Sequence, residues 1–263
     1  MNYLSREQSR FENIPITVNL LRGFFNGLND FFSELNSAEQ SEFKQIINAN
    51  LTENIDIFFF SFNYTNTLDK CVNTASKETL SSWNVKGNTY RAKINSSVLH
   101  LHGTLDKFPI IGVSDINDIA NDKFRENPDI CSLLLKTNAI DDIGEYWYKD
   151  AKMVIDNSRI VCVFGMSIGK TDSFWWSYLT EWLKKDNSHK LVIFWYDASY
   201  TNMRSRYKYR LTTRKVKKQF VSYSGLTDEE KETLFSQIYV VINTNTVLKT
   251  DIEIDKKIEN SKS

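Results

Sequence analysis

Three short apolar runs that stop abruptly at polar or small residues constrain this chain more than any other feature. The first, Ile55-Asp56-Ile57-Phe58-Phe59-Phe60-Ser61, gives way to Phe62-Asn63-Tyr64-Thr65. The second, Ser97-Val98-Leu99-His100-Leu101, stops at His102-Gly103, and the third, Arg159 to Phe164, stops at Gly165-Met166-Ser167. Runs this short and this rich in aromatic and branched residues predict strands buried on both faces, as parallel sheets contain. In open α/β sheets ligands bind outside the carboxyl ends of the strands. The three run ends are therefore expected to build one composite site.

Helical spacing surrounds these runs. Thr17 to Leu35 carries Val18, Leu20, Leu21, Phe24, Phe25, Leu28, Phe31, Phe32 and Leu35 at helical spacing, a wide apolar stripe, and Ser37 with Gln40 predicts a capping box for a second helix. Thr65-Asn66-Thr67 reads as a helix entry with hydroxyl caps, and the polar stretch Ser76 to Ser97, with Lys86-Gly87-Asn88, as a loop or short hairpin. Phe108 to Val113 reads as a further strand. Residues 116–157 read as helical, broken at Asn127-Pro128, with an aromatic helix around Tyr146-Trp147-Tyr148. A helix from Thr171 to Lys185, a strand from Lys190 to Tyr196, a helix capped by Thr227 and Glu230, and a strand from Tyr239 to Ile242 complete the pattern. Alternating strands and helices predict a Rossmann-like α/β fold with a mainly parallel sheet. We expect one domain: a helical lead over 1–50, a core over 51–248 and a charged, frayed tail over 249–263.

Composition bounds the partners. With 41% hydrophobic and 25% charged residues, the chain has the make-up of an ordinary globular protein. Its 33 basic and 33 acidic residues cancel, so no long-range field steers it toward nucleic acid or membrane. Cys71, Cys131 and Cys162 lack metal-type spacing and read as free thiols of a reducing cytosol. No apolar run approaches the roughly 20 residues that a membrane helix needs, and no signal peptide opens the chain. A cytoplasmic location and no membrane partner are expected.

The run ends also carry chemistry. A neutral amide such as Asn63 can fix a water or a ribose hydroxyl, and an imidazole such as His102 can take a proton near neutral pH, so the pair suits water attack on an activated bond. The plainer reading makes Asn63 a helix cap and His102 a turn residue. His100 and His102 would share one strand face, but no third ligand with metal spacing accompanies them, so no metal is expected. Phe164 to Thr171 imitates a phosphate-binding P-loop, and the count fails: only Met166, Ser167 and Ile168 separate Gly165 from Gly169-Lys170-Thr171. Gly165 still permits close backbone approach, and Ser167 can bond a ribose or phosphate.

Phe62-Asn63-Tyr64-Thr65, His100-Leu101-His102-Gly103, Lys136 and Phe164 to Asp172, in this order, resemble the AbiH family of bacteriophage abortive-infection proteins. The same order is similar, more distantly, to the sirtuin-like NAD-cleaving domains of bacterial antiphage systems. The resemblance implies a Rossmann-like fold, a role in phage defence, and NAD or a related nucleotide as substrate of a glycohydrolase-like enzyme. It implies Asn63 and His102 as catalytic residues, the first positioning water or ribose and the second acting as general base. It further implies nucleotide contacts from Tyr64, Thr65, Gly103, Gly165, Ser167 and Asp172. Asp172 is also explained as a helix-start carboxylate, and Lys136 as a phosphate contact or, more plainly, a surface charge. Two departures stand out. No Gly-x-Gly or Gly-Asn-Gly precedes Asn63, so the usual first strand is expected to be missing, and Thr65 stands where the sirtuin-like pattern has Asp.

Residues 204–218 hold Arg204, Arg206, Lys208, Arg210, Arg214, Lys215, Lys217 and Lys218 without an acid, interleaved with Tyr207 and Tyr209. They offer a nucleic-acid contact or a solvated helix face, the second being the default. Two further readings thus stand beside NAD hydrolysis: a non-catalytic nucleotide-binding module and a nucleic-acid effector. The phage trigger and an oligomeric state are left open.

Overall fold

The computed structural model describes residues 30–49, 52–107, 109–113, 115–136, 138, 146–200 and 206–244. Most of the Thr17 to Leu35 stripe, and the tail over 249–263, lie outside the described residues. Backbone contacts divide the described chain into two compact units, one holding residues 30–61 and 65–98 and the other 62–64 and 99–244.

In the first unit, helix α1 (Ser37–Ala49) begins one residue earlier than its predicted capping box. Asn36 Oδ1 accepts from the N–H groups of Ala38 and Glu39, while Glu39 reaches back to the Asn36 N–H at 3.2 Å. Gln40 is thereby released to bond the carbonyls of Ser33 and Leu35. Phe32 stacks on Phe43 at 5.9 Å, and Phe43 is fully buried, a contribution of about 2 to 3 kcal/mol for a side chain of that size.

Strands β1 (Ile55–Ser61), β2 (Thr79–Val85) and β3 (Asn88–His100) form a sheet ordered β1-β3-β2, with β2 and β3 antiparallel. The polar stretch is thus a full hairpin. Lys86 (φ 49°) and Gly87 (φ 85°) turn it, the paired positive φ values that match the twist of two-residue hairpins. Strand β1 is half-buried, not buried on both faces: Asp56 and Phe58 are exposed, Phe58 by 41%. Its Ile57 and Phe59 pack with Leu68 and Val98 against Cys71, Val72, Ala75 and Ile94, where helix α2 (Thr67–Ala75) covers the sheet. Asn66, not a hydroxyl residue, occupies the N-cap position of α2.

The second unit carries the parallel sheet. Strands β4 (Ile160–Phe164), β5 (Lys190–Trp195) and β6 (Ile238–Ile242) lie side by side in sequence order, all parallel, the arrangement of a doubly wound α/β half. β5 and β6 are almost wholly buried, as continuous apolar runs in a parallel sheet must be. The fold is α/β and Rossmann-like. Its parallel strands are β4 to β6, whereas the first two apolar runs belong to the β1-β3-β2 sheet.

Helices α3 (Asp122–Arg125), α4 (Pro128–Leu134) and α5 (Tyr146–Asp156) precede β4. Asn127 caps α4 with Pro128 at its first position, so the predicted break is a helix start. Helix α6 (Ser173–Lys185) joins β4 to β5 and buries Trp175, Trp176, Leu179, Trp182 and Leu183. From Arg206 onward the basic segment forms helix α7 (Arg206–Val221), which with α8 (Asp228–Leu234) joins β5 to β6; Arg204 lies outside the described residues. The Thr227/Glu230 capping box of α8 is present in both directions. The expected strand at 108–113 reduces, among its described residues, to a parallel bridge between Val113 and Leu135. Pro109 has no N–H for a ladder, and the Ile110 N–H bonds the His102 carbonyl instead.

Candidate functional site

His102 leaves β3 through a turn that fixes its position tightly. Gly103, at φ 69°, takes the left-handed conformation that glycine permits, and its N–H bonds the His100 carbonyl. The following chain folds back: Thr104 bridges Lys107, Ile110 N–H donates to His102 O at 2.8 Å, and Leu105 N–H donates to Tyr64 O at 2.9 Å. The Tyr64 hydroxyl then donates to Ile110 O at 2.8 Å. Tyr64 thus clamps the loop that carries His102, and its ring faces the imidazole at 6.1 Å. Phe62 meets the imidazole edge-on at 5.1 Å and packs on Trp175 and Trp176.

The partners of His102 come from two distant segments. Asp172 Oδ1 lies 3.0 Å from His102 Nε2, and Lys136 Nζ lies 3.1 Å from the same Oδ1 and 3.4 Å from Nε2. The side chains are 7% (His102), 14% (Asp172) and 11% (Lys136) exposed, so the three form a buried ionic cluster. Lys136 is delivered by the Val113 bridge: Val113 N–H donates to Leu134 O and Lys136 N–H to Val113 O. A Cβ at Gly112 would collide with the Leu134 carbonyl oxygen, so this bridge needs glycine there.

Asp172 arrives from the segment after β4. Although it precedes α6 at the N-cap position, it makes no cap hydrogen bond; its carboxylate turns to His102 and Lys136. Asp172 thus stands at a helix start, where a carboxylate is favourable, without capping it, and plain surface charge fails for the buried Lys136. Burial would raise the Asp172 pKa, but the His102 hydrogen bond and the Lys136 charge outweigh it and hold the carboxyl below its ordinary range. Burial and the Asp172 charge raise the Tyr64 hydroxyl. Tyr148 is pushed up to about 12, chiefly by burial and with the Asp172 charge aiding.

Gly165 and Ser167 occupy different ground. With Phe164, Met166, Phe194, Trp195, Tyr196, Asn243 and Thr244 they line a cleft of about 400 Å³ at the carboxyl ends of β4, β5 and β6. This is where an open parallel sheet collects ligands. Gly165 (φ 66°) and Asn243 (φ 54°) turn the chain out of their strands, and Asn243 locks the β5 exit through both main-chain groups of Asp197.

The sequence-predicted residues thus divide. His102, Gly103, Tyr64, Lys136 and Asp172 come together; Gly165 and Ser167 sit in the cleft; Thr65 belongs to the first unit. Asn63 is exposed and is tied by its carbonyl to His100 Nδ1 at 3.2 Å. His100 and His102 do not share a face, because His100 ends β3 and His102 lies in the turn beyond it. Of the aromatics that wall the cluster, Phe62 stood in the run-end motif without an assigned role, and Tyr148 and Trp175 were legible only as aromatic positions of ordinary helix spacing. Among the described residues no group of three or more His, Cys, Asp or Glu side chains could hold a metal ion, and no helix is long and apolar enough to cross a membrane.

No curated protein and no solved structure matches the chain. A protein-family model described as "Bacteriophage abortive infection AbiH" matches residues 3–195, a span that contains His102, Lys136, Asp172 and the Gly165 to Ser167 turn. The chain belongs to the AbiH family of bacteriophage abortive-infection proteins.

Proposed function

We propose that this AbiH-family protein acts in abortive infection, in the cytoplasm, by hydrolysing the N-glycosidic bond of NAD or a related nucleotide. The observation that carries the reading is the buried contact of His102 Nε2 with Asp172 Oδ1 at 3.0 Å, with Lys136 against the same oxygen. Asp172 accepts from Nε2–H and fixes the tautomer, which leaves Nδ1 as the basic nitrogen. Water, positioned by Asn63, attacks the anomeric carbon. The C–N bonding pair leaves with nicotinamide, which departs neutral, and the water proton passes to His102 Nδ1. Lys136 keeps Asp172 ionised through the step. Gly165 and Ser167 hold the adenosine ribose in the cleft, whose volume falls within the range of about 300 to 1,000 Å³ common for ligand sites.

One observation favours a second reading, a non-catalytic nucleotide-binding defence module: His102 is only 6% exposed, so its ring can serve as a structural anchor. Nicotinamide release by the purified protein separates the two. Turnover in the wild type that is lost in His102→Ala is the expected result. Intact NAD beside saturable nucleotide binding would sink the hydrolase and support the module.

A further inference from the structure

We propose that the exposed face of α7 binds single-stranded nucleic acid. The helix sequence RYKYRLTTRKVKKQFV contains no acid. Its apolar side is already used: Val216, Phe220 and Val221 are buried, and the Tyr209 hydroxyl bonds the Val240 carbonyl of β6. What faces outward is Tyr207, 73% exposed, Leu211, and the exposed cations Arg210, Lys215 and Lys218.

Neighbouring acids neutralise this face only in part. Arg214 pairs with Glu232 at 3.0 Å, but Glu230 is drawn to Lys184 at 2.7 Å and Asp228 to Lys231 at 3.9 Å. Asp197 accepts from the N–H and hydroxyl of Ser199 and feels the Lys215 charge without forming an ion pair with it. Among the described residues no acid forms an ion pair with Arg210, Lys215 or Lys218. Three cations spread over about 12 Å of helix axis suit a chain of phosphates better than a single one. An exposed tyrosine at the end of such a track is a stacking platform for an unpaired base. A lipid surface is disfavoured because an interfacial helix needs a free apolar face, and α7 has only Tyr207 and Leu211 outside. Because the whole chain has no net charge, the attraction is local and strongly salt-dependent.

The inference is independent of the His102 chemistry and is tested by fluorescence anisotropy with labelled oligothymidylate and oligouridylate, a duplex of equal length, and phosphatidylserine vesicles. Single strands should bind, with a log–log salt slope of about −2 for three phosphate contacts. Arg210→Gln/Lys215→Gln/Lys218→Gln should lower affinity at least about tenfold and flatten the slope. Tyr207→Ala should lower it about fivefold or more with the slope unchanged. A circular-dichroism melt matching the wild type checks that the variants fold, and nucleotide turnover should not change in them. No single-strand binding, tighter binding to duplex or vesicles, or full affinity in the folded triple variant would overturn the proposal.

Discussion

The His102–Asp172–Lys136 cluster and the cleft at the ends of β4 to β6 are joined by one continuous segment, residues 165–172, yet they follow opposite physical rules. The cluster is buried, and each charge has a partner at hydrogen-bond distance. In the cleft, Phe164 is 42% and Tyr196 79% exposed, and its polar groups are mostly main-chain turns and small side chains. Between them, residues 165–172 are pinned: Ile168 O accepts from Gln219 Nε2 at 2.6 Å and from the Tyr223 hydroxyl, Gly169 O accepts from Trp176 Nε1, and Lys170 pairs with Asp118. The difference separates two requirements of a site. Fixed protonation and orientation need burial, and recognition needs open surface; a pinned connector allows one fold to supply both.

If that division is right, the largest effect comes from the buried side. Asp172→Ala leaves Lys136 buried without its carboxylate and should cost about 3 kcal/mol of stability, read by urea unfolding near neutral pH. The sign with pH is fixed by the depressed carboxyl pKa. The Asp172 contribution is present above its ordinary value of 3.8 and is lost as pH falls through the lower folded value, so wild type and variant should converge in acid. A cost that does not shrink at low pH would show that packing, not charge, holds the cluster. His102→Ala comes next. Turnover should fall by at least about a hundredfold if His102 is the general base, while KM changes little if the cleft is what binds the nucleotide.

The contrast between these two regions also explains what could be read from the sequence. Apolar runs are local, and they located β1, β4, β5 and β6 to within about a residue or two. Their sheet membership is not local: nothing in Ile55 to Ser61 says that it sits beside a long antiparallel hairpin strand and not beside Arg159 to Phe164. The alternation of exposed Asp56 and Phe58 with packed Ile57 and Phe59 was present in the sequence, masked by three consecutive phenylalanines. His102 and Asp172 were legible from motif order. Lys136 looked like surface charge because its burial depends on a bridge between Val113 and Leu135, and on Gly112 admitting the Leu134 carbonyl, which no periodicity reports. The capping box at Asn36 slipped by one residue because Ser37 and Asn36 are both competent caps, and only the side-chain geometry decides between them.

On the open side, Ser167→Trp should fill the cleft. Nucleotide affinity should drop about tenfold, while stability stays within about 0.5 kcal/mol because Ser167 is a surface position. Calorimetric titration and a melt on the same sample measure both quantities. A large loss of stability would mean that the cleft is packed structure and would erase the distinction drawn above.

The smallest effect gives the finest test, because Gly165 has two separable reasons to be glycine. Its φ of 66° disfavours any L side chain, yet a Cβ built there meets nothing within 4 Å. Gly165→Ala should therefore cost only the left-handed backbone term, about 1 kcal/mol, with no steric addition. If the turn alone requires glycine, the variant binds nucleotide as the wild type does once both are folded. If a ligand backbone or ribose packs against this bare Cα, the added methyl projects into the space the ligand needs, and affinity should fall several-fold beyond the stability loss. We expect the second outcome. The ratio of affinity loss to stability loss at this one position measures how far the cleft is a binding surface and how far it is only the bend that carries the chain to Asp172.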